Sequence, residues 1–174
     1  RHARVVLHLE HGPGLLVVGE QLVFLRVRVD DHRTELEHVE VRAVKADLLD
    51  PAACRRVARG QEVVLNLAAR VAGVGYNSKH HATMFRDNMI LALNMIEAAR
   101  RADVGRFLVV SSACVYPRHC LIPTPEHEGF RGLPETTNAG YGWAKRMSEY
   151  LGCAYHEEFG MKVQLRHLPH MVGY

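Results

Sequence analysis

Tyr141 and Lys145 stand four positions apart in a segment of helical periodicity, so both side chains leave one face of a helix about one turn apart. That spacing suits a proton-transfer pair. An ammonium roughly 4 Å from a phenolate interacts with it by about 4 kcal/mol at an effective dielectric of 20. The equivalent of about three pKa units would bring a tyrosine from ~10 to near 7, where it serves as acid and base. Upstream, the β-like run from Arg106 to Ser111 ends at Ser112, whose hydroxyl is placed to hydrogen-bond the same oxygen whose proton Tyr141 moves. Cys114 follows two residues later. Two readings of it stand: a small buried hydrophobe, as free cysteines often are, or a thiolate base toward a C–H bond if its surroundings lower the usual pKa of ~8.5.

Positioning such groups requires a scaffold, and the pattern supplies one. From about residue 39 the chain alternates short strand runs with helical periods, which predicts an α/β fold: a Rossmann-like parallel sheet flanked by helices. Strands are expected around 39–44, at 62–67, at 106–111 and from 162 to 166. A short helix begins at Pro51, a second covers 82–101 with Phe85, Met89, Ala92, Ile96 and Ala99 on one stripe, and a third covers 139–158 up to Gly160. The polar end at Ser111-Ser112 falls at the carboxyl edge, where open α/β sheets place ligands. Residues 116–138 form a long loop rich in Pro, Gly, Glu and Thr, a length that is usually functional. The opening reads differently: Val5–Leu9, Leu15–Val18 and Leu22–Val29 are β runs with no amphipathic helix between them.

The 174 residues are 48% hydrophobic and 24% charged, the composition of one ordinary globular domain. A net charge of +3 without a dense basic stripe argues against a nucleic-acid partner. No apolar run has the ~18 residues of a membrane span and no signal peptide opens the chain, so the expected setting is cytoplasmic. Cys54, Cys114, Cys120 and Cys153 lack zinc-type spacing and are expected as free thiols. The 12 histidines are scattered, with only His80 and His81 adjacent, so no metal site is expected. A start at Arg1 and a stop at Tyr174 just after a strand-like segment suggest part of a longer protein.

Asn66-Leu67-Ala68-Ala69, the run Ser111-Ser112-Ala113-Cys114-Val115-Tyr116-Pro117, and Tyr141-Gly142-Trp143-Ala144-Lys145 occur in one order and spacing. In these motifs the chain resembles the extended short-chain dehydrogenases of the NAD-dependent epimerase/dehydratase family, over about residues 39–168. The cysteine motif, Gly73-Val74-Gly75 and the stretch Asn94–Arg100 are similar to those of members acting on GDP-hexoses, the GDP-mannose 3,5-epimerases and GDP-L-fucose synthases. The resemblance implies Tyr141 as acid/base for hydride transfer at a sugar carbon, with Lys145 holding the cofactor ribose and lowering the tyrosine pKa. Ser112 would orient the sugar oxygen, and Cys114 would exchange a proton on carbon beside a transient ketone. It further implies NAD, with NADP open, contacted by Asp47 or Leu48 near the adenine and by Leu67, Ala68 and Ala69 toward pyrophosphate and ribose. Asn88, Ser111, Tyr141 and Lys145 would complete the cofactor set. Gly73, Val74, Gly75, Ser112 and Cys114 would meet a nucleotide-sugar, and helices 82–101 and 139–158 would build a homodimer.

Asp30-Asp31 can receive the adenosine ribose hydroxyls, favouring NAD, or be an ordinary polar turn, and Arg33 nearby keeps NADP open. The family's first strand leads into a G-x-x-G-x-x-G turn that this chain lacks: Gly12, Gly14 and Gly19 are spaced otherwise, and Asp30 follows too soon for a crossover helix and a second strand. Residues 1–38 therefore depart from the pattern, and the substrate domain expected after residue 174 is absent from this sequence. His167 and His170 are weak substitutes for the second proton donor. The alternatives to an enzyme are a catalytically inactive fragment and a dinucleotide-sensing module.

Overall fold

A computed structural model describes residues 14–18, 23–29, 39–44 and 46–166, the strands up to residue 43 by their backbone pairing alone. Six strands form one sheet: β1 (Gly14–Val18), β2 (Val23–Val29), β3 (Val39–Val44), β4 (Val63–Leu67), β5 (Arg106–Val110) and β6 (Val163–Arg166), in the order β3-β2-β1-β4-β5-β6. β1, β4, β5 and β6 pair in parallel, in registers that set Leu65 beside both Leu16 and Leu108 and Val110 beside Arg166. β2 runs antiparallel to both β1 and β3. Connection length explains the difference. Only residues 19–22 join β1 to β2, too few for a crossover, whereas long helical segments separate β4 from β5 and β5 from β6. The departure expected in the opening is therefore an antiparallel meander in place of a strand–helix unit. Val5–Leu9, Gly12, Gly19, Asp30, Asp31, Arg33, His167 and His170 lie outside the described residues.

The helices are α1 (Pro51–Ala58), α2 (Val74–Asn77), α3 (His81–Arg101) and α4 (Ala139–Phe159). Asp50 starts α1 by accepting from Ala52 N at 2.8 Å and Ala53 N at 3.2 Å, with Pro51 in the first turn. α1, α3 and α4 pack on the sheet face that carries Val64, Phe107 and Val109, and with them bury Leu48, Cys54, Met95 and Ile96. Leu65, Leu67 and Leu108 on the opposite face are half-buried. The stripe expected on α3 is rotated: Ile96 and Ala99 face the core, but Phe85 is 39% exposed, because Met84, Asn88, Leu91 and Met95 take the inner face. α3 and α4 also meet through Tyr155, whose hydroxyl donates to Glu97 Oε2 at 3.2 Å. Hydrogen bonds from Arg100, then Arg101 and Tyr155, hold the Glu97 carboxyl down to about 2 against the cost of its burial.

Cys54 lies wholly inside the core, its thiol against the Leu48 carbonyl at 3.4 Å. Burial, followed by the negative charges of Asp50 and Asp47, pushes its pKa from 9.0 up to about 12. The folded chain keeps a proton there that the unfolded chain loses, so this group's contribution to stability falls as pH rises from 9 to 12. Cys54→Ala removes that dependence. Denaturant titrations should show the stability gap between wild type and Cys54→Ala narrowing from pH 9 upward; a constant gap contradicts the assignment.

Candidate active site

The candidate residues converge where β5 ends and α4 begins. β5 delivers Val110, Ser111 and Ser112, and Ser112 caps a 3-10 turn over Ala113–Val115 by accepting from Cys114 N at 3.2 Å. The turn points Cys114 back toward α4. There Tyr141 is hydrogen-bonded to Ser112 and lies close enough to Cys114 for their charges to couple. Lys145, one turn further along α4, is buried, donates to Val110 O at 2.8 Å, and stands 5.6 Å from the centre of the Tyr141 ring. Ser112, Cys114 and Tyr141 are all half-buried.

Two glycines make this approach possible. A Cβ on Gly140 would collide with the backbone of His81 at the start of α3, and one on Gly142 would collide with the Cys114 carbonyl and with Pro134. Tyr141 sits between them, at the point where α4 touches both neighbours. Arg146 then locks the contact from the far side: Nε donates to Val115 O at 2.7 Å, and the guanidinium also bonds Gly132 O. The long loop is tied to α4 in this way, and its Phe130 and the helix's own Trp143 lie 5.5 and 5.2 Å from the Arg146 cation.

The electrostatics differ from the sequence expectation. Burial pushes the Tyr141 hydroxyl up to about 12, the nearby Cys114 adding to the rise and the Ser112 hydrogen bond opposing it. Burial also brings Lys145 down to about 8, against the pull of Glu149. The lysine is anchored on a carbonyl and beside the ring instead of on the phenolic oxygen, so it does not bring the tyrosine near 7. As it stands the site holds Tyr141 as a proton donor.

The other expected residues divide. Leu67, Ala68 and Ala69 follow Asn66 at the carboxyl end of β4, with Asn66 Oδ1 accepting from Ala68 N at 3.3 Å. Asn88 spends its amide on holding this loop: it accepts from Arg70 N at 2.8 Å and donates to Arg70 O at 3.1 Å and Met84 O at 2.8 Å. Asp87 pairs with Arg70 and Arg86; burial opposes its charge, but those hydrogen bonds outweigh it and keep the carboxyl below its usual range. Gly73 precedes α2 and Val74 and Gly75 open it, and a Cβ built on either glycine meets nothing within 4 Å. α2 is tied to the start of α4 by Asn77 Nδ2 donating to Asn138 Oδ1 at 2.8 Å, which brings this loop to the same end of the sheet. Asp47 is exposed, its carboxylate accepting from Leu49 N at 2.9 Å. The Leu48 side chain is wholly in the core, leaving its carbonyl to Asn94 at 2.8 Å. Ser111 is buried and donates to Glu149, so its hydroxyl serves the interior. Glu149 and Arg146 went unmarked in the sequence reading, although Glu149 continues the i, i+4 spacing of Tyr141 and Lys145.

The parallel run of β1, β4, β5 and β6, with helices packed on it and Ser112, Tyr141 and Lys145 at its carboxyl edge, defines the class, a Rossmann-like α/β domain. The family model for the NAD dependent epimerase/dehydratase family matches residues 15–174, and the chain belongs to that family. It is 31% identical over 125 residues to GDP-mannose 3,5-epimerase of Arabidopsis thaliana, covering 69% of this chain and 32% of the relative. It is 35% identical over 99 residues to GDP-L-fucose synthase of Dictyostelium discoideum, covering 57% of this chain and 31% of the relative. The chain thus spans about a third of the length of these relatives. Among solved structures, a GDP-L-fucose synthetase from Naegleria fowleri bound to NADP superposes with a TM-score of 0.61 at 27% identity, covering 71% of this chain and 38% of that one.

The family is NAD(P)-dependent, and the residues present fit one end of such a cofactor. Beyond β1, where a glycine turn and helix N-terminus would cradle the pyrophosphate, the described chain instead continues as the antiparallel strand β2.

Gly142→Ala should cost about 1–3 kcal/mol, since the methyl group meets backbone that cannot yield without moving the Cys114 turn. Gly75→Ala, which meets open space, should leave stability unchanged or slightly raised. Equal effects of the two in chemical denaturation would contradict the close approach.

Proposed function

We propose that this chain is the catalytic part of an NAD(P)-dependent epimerase or reductase acting on a nucleotide-activated hexose, with a GDP-sugar favoured. The observation that carries the reading is the assembly of Ser112, Cys114, Tyr141 and Lys145 at one sheet edge, with Tyr141 hydrogen-bonded to Ser112. The names of the relatives support the GDP-sugar choice. Ser112 and Tyr141 share the oxygen of the reacting sugar carbon: Ser112 orients it, and Tyr141 gives or takes its proton. Lys145 holds a cation beside the Tyr141 ring. A bound nicotinamide supplies the hydride acceptor and donor and, when oxidised, a positive charge that favours the phenolate. A ketone at one carbon acidifies the adjoining C–H bond, and Cys114 is the base that exchanges that proton. Gly73, Val74 and Gly75 leave open space for the hexose at the same edge.

In this reading residues 1–174 are a partial dinucleotide-binding domain that works with a substrate domain of the kind its longer relatives have room for. The four free thiols support a cytoplasmic setting, and no helix among the described residues is long and apolar enough to cross a membrane. Pairing of two subunits through α3 and α4 is supported by the exposed apolar side chains Phe85, Leu93 and Tyr150 on these helices. The antiparallel step from β1 to β2, where the pyrophosphate turn is expected, favours a second reading, an inactive fragment or a dinucleotide-sensing module.

Titration with NAD and NADP, followed by the fluorescence of Trp143 two residues from Tyr141, separates these readings. Binding below millimolar cofactor is expected, and its absence leaves only the inactive fragment. With cofactor bound, GDP-mannose in deuterated water should exchange carbon protons. Cys114→Ser should abolish that exchange, while Tyr141→Phe should slow hydride transfer by on the order of 100-fold or more. Undiminished exchange in Cys114→Ser would return Cys114 to a packing role.

A further inference from the structure

The interior end of the site contains an acid that the proposed chemistry does not use. Glu149 is 5% exposed and lies on α4 one turn beyond Lys145, which is itself 7% exposed. Ser111, at the end of β5, donates its hydroxyl to Glu149 Oε1. Arg146, 2% exposed, completes a set of three buried ionisable side chains within two turns of one helix. A carboxylate taken this far out of water is costly unless positive charge and hydrogen bonds compensate it, and the same holds for an isolated ammonium. The groups whose charge Glu149 influences include Lys145 and Arg146 on α4 and Tyr116 in the segment after β5. Lys145 stands one turn before Glu149 on the same helix, beside the Tyr141 ring, and donates to the Val110 carbonyl on β5. It also lines a cavity of about 20 Å3 with the uncharged Asn66 of β4, Asn88 of α3 and Ser148.

We infer that Glu149 is a positioning residue: its carboxylate, anchored on Ser111, is the counter-charge that keeps Lys145 an ammonium at its place between the Val110 carbonyl and the Tyr141 ring. The role of that ammonium in turnover rests on the reading of Tyr141 and Lys145 proposed above, but its charge state does not. Arg146 is held by the carbonyls of Val115 and Gly132 and has no second protonation state at ordinary pH, so Lys145 is the member of the set whose charge Glu149 controls.

NMR of the intact protein with carbon-13 at the lysine ε position tests this without cofactor or substrate, so failure of the proposed reaction leaves the result readable. The lysines are Lys45, Lys79, Lys145 and Lys162, and Lys145→Met identifies the relevant signal. Burial sets the Lys145 midpoint at about 8 with Glu149 pulling it upward. Glu149→Gln should lower it by roughly one pH unit or more, and Glu149→Asp, which keeps the charge, should restore most of that shift. A purely structural role would leave the midpoint in place, and an unchanged midpoint in folded Glu149→Gln overturns the inference. Should that variant not fold, Ser111→Ala decides: releasing the carboxylate from its anchor should lower the midpoint by a smaller step, and no movement overturns the inference equally.

Discussion

The site depends on one steric constraint: the first turn of α4 must lie against the turn that follows β5 with no side chain between them. Gly140 admits the His81 backbone and Gly142 admits the Cys114 carbonyl. Tyr141, caught between the two, has its hydroxyl set on Ser112 by the docking itself. The sheet contributes by ending β5 at this height, and α3 contributes by starting beside Gly140. Arg146 and the capped loop before α4, where Glu135 accepts from Thr137 N at 3.0 Å and Asn138 N at 3.3 Å, keep the helix from sliding out of place.

Burial is the second consequence of that docking, and it governs the chemistry. The same packing that positions Tyr141 raises its pKa, and the same interior that anchors Lys145 lowers the lysine's. The two shifts diverge, from nearly equal ordinary values to about 12 and about 8, so burial holds both groups toward their uncharged forms and charge brought beside them works against it. Such a pair responds to what binds beside it. Glu149, hydrogen-bonded by Ser111, adds a charge that pulls Lys145 upward from the interior side.

The elements around the site were legible in the sequence because their periods were clean: β4, β5, β6, α1, α3 and α4 lie within a residue or two of the expected spans. Motif spacing brings Ser112, Cys114, Tyr141 and Lys145 to one edge, and the structure has them near one another at the end of β5 and the start of α4. Other features depended on three-dimensional packing. The inner face of α3 is set by what Asn88 and Met84 must reach, which periodicity alone does not encode, so Phe85 was placed inward. The lowered tyrosine pKa assumed a lysine on the phenolic oxygen; the spacing gave the shared helix face, but the Val110 carbonyl that draws Lys145 away comes from another element. Ser111 likewise read as a cofactor contact, since its partner Glu149 is remote in sequence. The short α2 lay hidden in a stretch that reads as a glycine turn.

In the proposed function Tyr141 is an acid/base, its proton affinity raised by burial and lowered by positive charge brought beside it. Carbon-13 NMR of ζ-labelled tyrosine, with Tyr141→Phe to identify the signal, measures that affinity directly. Without ligand, Tyr141 should titrate near 12; with NAD present in its oxidised, positively charged form, the midpoint should fall by roughly two units or more. An ordinary midpoint near 10 in the free protein, or one that the cofactor leaves in place, would show that burial does not set the Tyr141 proton affinity.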